Sequence, residues 1–190
     1  MKIGRFGQAE PLEKKGYLKL RAAFFSDQHK LFGDIAWFTA ERPLAILKLG
    51  VTDVYADPVK RIPRKTILFK GNSRKTKDSR SVPVSKELEA RLRAYQPPTE
   101  GWLFPSLVIP YQHLSLRAMD GAFRRAMRRL GWEALGYSLY SFRRGALTSL
   151  RRQGLDLRVI QQFSGHKNLN VLARYLEVDE RSVIAAAELL

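Results

Sequence analysis

Three side chains in the last third of the chain could hold a phosphodiester and attack it without a metal. Arg143 stands in Tyr140-Ser141-Phe142-Arg143-Arg144-Gly145, His166 in Ser164-Gly165-His166, and Tyr175 in Ala173-Arg174-Tyr175. A guanidinium grips a phosphate through a planar two-point fork, an imidazole adds a donor, and a tyrosine hydroxyl is a workable nucleophile. An exposed arginine beside two partly buried rings would show the same residue types, so the chemistry needs support from elsewhere in the chain.

That support begins with the elements that would position these groups. Asp27 is expected to cap a helix whose apolar face carries Leu31, Ile35 and Phe38. Pro43 suits the first turn of the next helix, with Leu44, Leu47 and Val51 continuing the apolar stripe. Arg42, just before it, would stand beside an N-terminus whose free N–H groups favour anions. Thr66-Ile67-Leu68-Phe69 and Ser81-Val82-Pro83-Val84 read as strands, separated by a cationic loop, Arg74-Lys75-Thr76-Lys77-Asp78-Ser79-Arg80. Ser85 caps a helix carrying Leu88, Leu92 and Tyr95, and Trp102-Leu103-Phe104 reads as a short buried segment. Ser115 opens another helix, with Met119, Ala122, Phe123, Ala126, Met127 and Leu130 on one face and Gly131 suiting its end. Arg117, Arg124, Arg125, Arg128 and Arg129 lie elsewhere on that helix against one acid, Asp120, more cations than a merely solvated face carries. Helices follow from Tyr140 to near Gly154, from Asp156, and over 170–176, with a last apolar-faced segment over 183–190. The pattern is mainly helical, with a small antiparallel sheet in the first half.

Composition narrows the class of partner. The 190 residues hold 34 Lys+Arg against 18 Asp+Glu, a net charge of +16, with 45% hydrophobic residues. A globular chain with so large a cationic excess repels itself, and a polyanion, most often nucleic acid, relieves that repulsion. Charge alone fits ribosomal or other RNA binding equally well. No cysteine is present, which removes disulfides, thiolate-zinc sites and thiol nucleophiles, and no two of His29, His113 and His166 are close in sequence. No metal or cofactor is expected. No signal-peptide core or membrane-length apolar run is seen, so a cytoplasmic, nucleoid-associated protein is expected.

The ordered set resembles the tyrosine recombinase (phage integrase) family. Thr39-Ala40-Glu41-Arg42-Pro43-Leu44-Ala45-Ile46-Leu47 is similar to the family's first-arginine box. Lys75, eight residues before Pro83, resembles its hairpin lysine, and Tyr140-Ser141-Phe142-Arg143 its His-x-x-Arg box. Gly154-Leu155-Asp156-Leu157-Arg158-Val159-Ile160-Gln161-Gln162-Phe163-Ser164-Gly165-His166, with Tyr175 nine residues on, matches the final signature closely. The likeness covers about residues 15–190. It departs from the family at Tyr140, where histidine or lysine is usual, and at Ala45, where an acid is common.

The resemblance implies an α+β, mainly helical catalytic-domain fold with a small three-stranded antiparallel sheet, formed as one domain over residues 1–190. Residues 1–14 are expected as a poorly ordered arm, with too few residues ahead of the catalytic portion for a separate DNA-clamping domain. In that respect the chain is similar to the short recombinases that invert fimbrial promoters, or is a piece of a longer chain. The implied activity is cleavage and rejoining of double-stranded DNA through a 3′-phosphotyrosine, with Arg42, Lys75, Tyr140, Arg143, His166 and Tyr175 as the catalytic set. Arg74, Lys77, Arg80, Arg117, Arg124, Arg125, Arg128 and Arg144 are expected to contact DNA. Self-association on DNA, as a dimer or tetramer, is expected through the C-terminal helix. A catalytically inactive DNA binder of the same fold and a type IB topoisomerase-like relaxing enzyme are the alternatives.

Overall fold

The computed structural model describes residues 7–71, 79–173 and Glu188. Helix α1 (Lys14–Ala23) leads into α2 (Asp27–Thr39), the element around which the others gather. Ser26 caps α2: its Oγ accepts from the His29 N–H at 3.2 Å, satisfying one of the free donors of the first turn. The cap is thus one residue earlier than expected, and Asp27 is the first helical residue, paired with Lys30 at 2.8 Å. Leu31, Phe32, Ile35 and Ala36 are buried on α2, which packs against α1 and against three later helices, α3 (Pro43–Leu47), α5 (Lys86–Ala94) and α7 (Tyr140–Arg152). The α1–α2 seam carries Tyr17 stacked on Trp37 with ring centroids 4.9 Å apart. Buried Asp34 accepts from the Tyr17 hydroxyl at 2.6 Å and from Arg21 Nε at 2.7 Å. Burial and the adjacent carboxylate push the Tyr17 phenol pKa far up, so it stays a proton donor.

Pro43 occupies the first turn of α3, as its fixed φ and missing N–H allow. Leu47 and Val51 are buried, whereas Leu44 is 41% exposed and does not continue the stripe. After α4 (Val51–Val54) the chain forms two antiparallel pairs. β1 (Tyr55–Asp57) pairs with β2 (Ile62–Pro63), and β3 (Thr66–Phe69) with β4 (Arg80–Pro83). Among the described residues these are two separate two-stranded sheets, in place of the single three-stranded sheet expected. Alternation along β3 buries Ile67 and Phe69 and exposes Thr66 and Leu68. The register sets Ile67 opposite Val82 and Phe69 opposite Arg80.

Ser85 and Ser115 cap α5 and α6 (Leu116–Arg129), and Met119, Ala122, Phe123, Ala126 and Met127 are buried on the latter's expected face. Helix α7 is enclosed on most sides, with residues 141–148 all buried. Asp156 caps α8 (Leu157–Ser164) by accepting from the Arg158 N–H at 2.7 Å. Gly165 ends that helix in the left-handed region, φ +66°, before α9 (Leu169–Ala173). The segment expected over 183–190 lies outside the described residues save Glu188.

Residues 7–13, expected within a poorly ordered arm, lie against α7. Leu12 is buried, its N–H donates to Ser141 O at 3.2 Å, and Glu10 N–H donates to Gly136 O at 3.2 Å. This approach requires a glycine at 145, because a Cβ there would fall 1.9 Å from the Leu12 carbonyl oxygen. Gly145→Ala is therefore expected to cost about 3 kcal/mol or more, the upper end of overpacking penalties. Gly121→Ala on α6 meets only the flexible tip of Arg125 at 3.5 Å and should stabilise by up to about 1 kcal/mol. Urea unfolding of the two variants beside the unaltered chain checks both signs.

Candidate active site: a buried arginine and histidine cluster

The joint between α2 and α3 sets the first group. Ala40 turns the chain through the left-handed region at φ 49°, and Glu41 follows with its side chain wholly buried. Thr39 Oγ1 donates to Ile35 O at 2.6 Å and accepts from the Glu41 N–H at 3.3 Å, so the joint is held by its own bonds. Arg42 caps α3 and its N–H donates to Glu41 Oε1 at 2.9 Å. Its Nη1 is buried, 3.8 Å from the same oxygen, and has no hydrogen-bond partner among the described residues.

Arg143, one turn into α7, is 1% exposed and the largest fully buried side chain described. Its Nη1 donates to Ala40 O, and its Nη2 donates to Ser164 O at 3.0 Å and lies 3.0 Å from His166 Nε2. One guanidinium thus bridges the α2–α3 joint and the turn after α8. Both carbonyls belong to helix C-terminal ends, where the helix leaves acceptors unused and its dipole favours a cation.

His166 follows the Gly165 turn and is 5% exposed. Ser164 Oγ donates to Gln161 O at 3.2 Å and lies 2.6 Å from His166 Nδ1. With the hydroxyl proton on Gln161, its oxygen accepts from Nδ1–H and Nε2 presents a lone pair to Arg143. Burial, then the charges of Arg143, Arg42 and Arg80, depress the His166 pKa to about 3. The imidazole is neutral at physiological pH. The cluster therefore holds three guanidiniums, one carboxylate and a neutral ring, an environment that calls for an anion.

The expected residues fall in different places. Arg42, Arg143 and His166 meet in this cluster. Tyr140 opens α7 three residues before Arg143, on the same side by helical spacing, and is 43% exposed. Lys75, Tyr175, Arg74 and Lys77 lie outside the described residues. On α6, Arg117, Arg125 and Arg128 are exposed and Arg124 is half-buried. Arg124 lies 3.5 Å from Asp120 and Arg128 3.2 Å from Glu133.

Two arginines expected on a DNA-facing surface point inward instead. Arg80 pairs with Glu41 Oε2 at 2.7 Å, donates to Ser164 O at 3.1 Å and donates to Phe163 O. Arg144 is 9% exposed and donates to Gln8 Oε1 at 2.6 Å, on the segment that crosses α7. Their chain neighbours are cationic, but strand alternation and the enclosure of α7 turn both away from solvent. Glu41 and Ser164 were not singled out in the sequence. An acid wedged between Ala40 and Arg42 at a helix joint was the available signal for Glu41, and a hydroxyl two residues before His166 for Ser164.

With this geometry in place, comparison with known proteins settles the class. Residues 23–182 match the model of the phage integrase family, and the chain belongs to that family. A protein of Pseudomonas phage Pf1 named "Putative integrase" is 29% identical over 115 residues, covering 60% of this chain and 31% of its own length. The fold is similar to that of XerA recombinase, with a TM-score of 0.72 at 18% identity, over 95% of this chain and 65% of that one. It is similar also to XerH site-specific recombinase bound to difH substrate in a pre-cleavage complex, with a TM-score of 0.70 at 20% identity, over 97% and 55%. The integrase from mycobacterium phage Brujita gives 0.66 at 22% identity, over 85% and 51%. The chain thus spans about a third of the Pf1 protein and half to two thirds of these solved chains. The fold is the tyrosine-recombinase catalytic-domain fold.

The depressed His166 pKa has a sign that can be checked. Between about 3 and the unfolded value near 6.5 the unfolded chain binds a proton that the folded chain refuses. Acid therefore favours unfolding. The contribution is fully present above about pH 6.5 and is lost as pH falls, at up to about 1.4 kcal/mol per unit. Urea unfolding from pH 7 to 4.5 should show this slope, and His166→Gln should reduce it, leaving the contribution of His29, whose burial also lowers its pKa.

Proposed function

We propose that this chain cleaves and rejoins double-stranded DNA through a 3′-phosphotyrosine, as a site-specific recombinase. The observation that carries the reading is the buried cluster of Arg42, Arg143 and His166, brought together from three separated segments in a chain of the integrase family. Arg42 and Arg143 would take the non-bridging phosphate oxygens and offset the charge that develops as the hydroxyl attacks. His166 would add a donor once the phosphate offsets the cluster's positive charge and the ring takes up a proton at Nε2, and Tyr140 a second from its phenol. Tyr175 would attack phosphorus, giving up its hydroxyl proton to solvent and expelling the 5′ oxygen, which Lys75 would protonate. The new ester keeps the energy of the old one, so the attacking 5′ hydroxyl can reverse the step without a nucleotide cofactor. Each preorganised donor lost should raise the barrier by about 2.7–4 kcal/mol. Exposed Arg117, Arg125 and Arg128 would supply phosphate contacts along the duplex, and assembly on paired sites through the C-terminal segment would supply avidity.

A duplex nicked next to the cleavage position traps the covalent product, because the released fragment diffuses away. The chain should form an adduct with such DNA that survives denaturation, and Tyr175→Phe should bind equally and form none. Absence of any adduct with the unaltered chain, alongside salt-dependent DNA binding, would leave the inactive binder. Relaxation of supercoiled DNA without paired sites would favour the topoisomerase-like alternative.

Tyr140 gives a second test. A phenol donates a hydrogen bond well but accepts a proton poorly at neutral pH, whereas imidazole does both. Tyr140→His should therefore raise the single-turnover cleavage rate at pH 7, measured on the same nicked duplex.

A further inference from the structure

Glu41 has no exposed side-chain surface, yet both its carboxylate oxygens are engaged by cations or donors. Oε2 accepts from Arg80 Nη1 at 2.7 Å. Oε1 accepts from the Arg42 N–H at 2.9 Å and lies 3.8 Å from both Arg42 Nη1 and Arg143 Nη1. One helical turn beyond Arg42, Ala45 is buried and apolar. The counter-charge therefore enters from the residue before Arg42, not from the helix that Arg42 caps.

A carboxylate buried this completely is stable only against compensating charge, and removing one partner of such a group leaves the others unbalanced. Three guanidiniums gathered within a few ångströms repel one another. Arg42, with 23% of its side chain exposed, is the one with room to swing outward. Arg80 opens strand β4 and also donates to the carbonyls of Phe163 and Ser164, just ahead of His166. The Glu41–Arg80 pair thereby fastens the β3–β4 hairpin to the turn that presents the histidine.

We infer that Glu41 is a positioning residue for phosphodiester cleavage: it holds Arg42 and Arg143 at the phosphate and, through Arg80, locks strand β4 to the His166 turn. The inference rests on the strand-cleavage reading proposed above. Glu41 is not itself a catalytic residue, since a carboxylate would repel the phosphate. That repulsion separates its effects on binding and on rate. Removing the charge should leave DNA affinity equal or higher, while the loss of alignment slows the chemistry. A residue that merely supported the fold would weaken both together.

Glu41→Gln keeps the volume and removes the charge. It is expected to bind duplex DNA at least as tightly as the unaltered chain and to form the covalent adduct roughly 10²-fold more slowly, the scale of one lost preorganised donor. Cleavage at the unaltered rate overturns the inference, as does a parallel fall in affinity and rate. Should Glu41→Gln fail to fold, Glu41→Asp, which keeps the charge but withdraws it by one methylene, carries the test with the same expected split. Adduct formation at the unaltered rate in that variant also overturns it. If the unaltered chain forms no adduct, the strand-cleavage reading falls on that result, and positioning is then read from the Arg80 and Arg143 side-chain Nε–H signals by NMR. Those should be sharp and slowly exchanging in the unaltered chain and broadened or shifted in the variant. Signals that do not change between the two overturn the inference.

Discussion

The structure turns on the burial of one guanidinium. Arg143 lies where three segments meet, and at 1% exposure it has lost nearly all contact with water. Such a loss is tolerable only if the protein returns the hydrogen bonds. It does so with main-chain carbonyls, Ala40 at the end of α2 and Ser164 at the end of α8. Helix C-termini are the natural source, because their last carbonyls have no partner within the helix and carry the negative end of its dipole. The left-handed backbone at Ala40 and at Gly165 breaks each helix where its carbonyls must aim at the cation. Arg80 uses the same device on Phe163 and Ser164. The ends of α2 and α8 are therefore parts of the site as much as boundaries of the fold.

Burial first, and the charge balance second, explain why the histidine behaves as it does. Three cations and one carboxylate leave an excess of positive charge in a space that solvent barely reaches. Adding a fourth proton there is unfavourable, so His166 remains neutral and offers a lone pair to Arg143. An anion placed against the same guanidinium would reverse both conditions at once. It would offset the repulsion that depresses the ring and compete with the ring for the Arg143 N–H. In the free state Arg143 is bonded to Ala40 O, Ser164 O and the ring, and the contacts a phosphate would displace are among those that keep the arginine aimed.

Much of the fold was legible because periodicity reports which face is buried. The α6 stripe from Met119 to Met127, the Ser85 and Ser115 caps and the Asp156 helix start all follow from local rules that tertiary packing did not override. Arg42, Arg143 and His166 were legible through the family resemblance. What escaped was direction. Arg80 belongs to a run of cations that reads as a solvated loop, yet it sits two residues from buried Val82 and opposite buried Phe69, so the pleat turns it inward. Arg144 follows Arg143 on a helix enclosed on most sides, where adjacency in sequence means opposite partners in space. Glu41 escaped for a related reason: an acid beside an arginine looks like a surface pair until the Ala40 turn is known to point it into the core. Among the described residues the small antiparallel sheet is split in two, because the strands pair only within neighbouring hairpins and local pattern does not say whether adjacent hairpins join edge to edge.

Two populations of arginine follow from this, and they do different physical work. Those on α6 are exposed or half-buried, Arg124 and Arg128 sit beside acids in high dielectric, and their attraction for a polyanion is long-ranged and screened by salt. Those in the cluster are fixed by carbonyls and a buried carboxylate, so they are held around one point before an anion arrives. Preorganisation of that kind is what distinguishes a site able to stabilise a transition state from a surface that only holds its ligand. The same +16 charge that names a polyanionic partner cannot by itself make this distinction. Burial adds what charge cannot: guanidiniums moved out of water and bonded to the ends of two helices are aimed before an anion arrives, as a solvated arginine face is not.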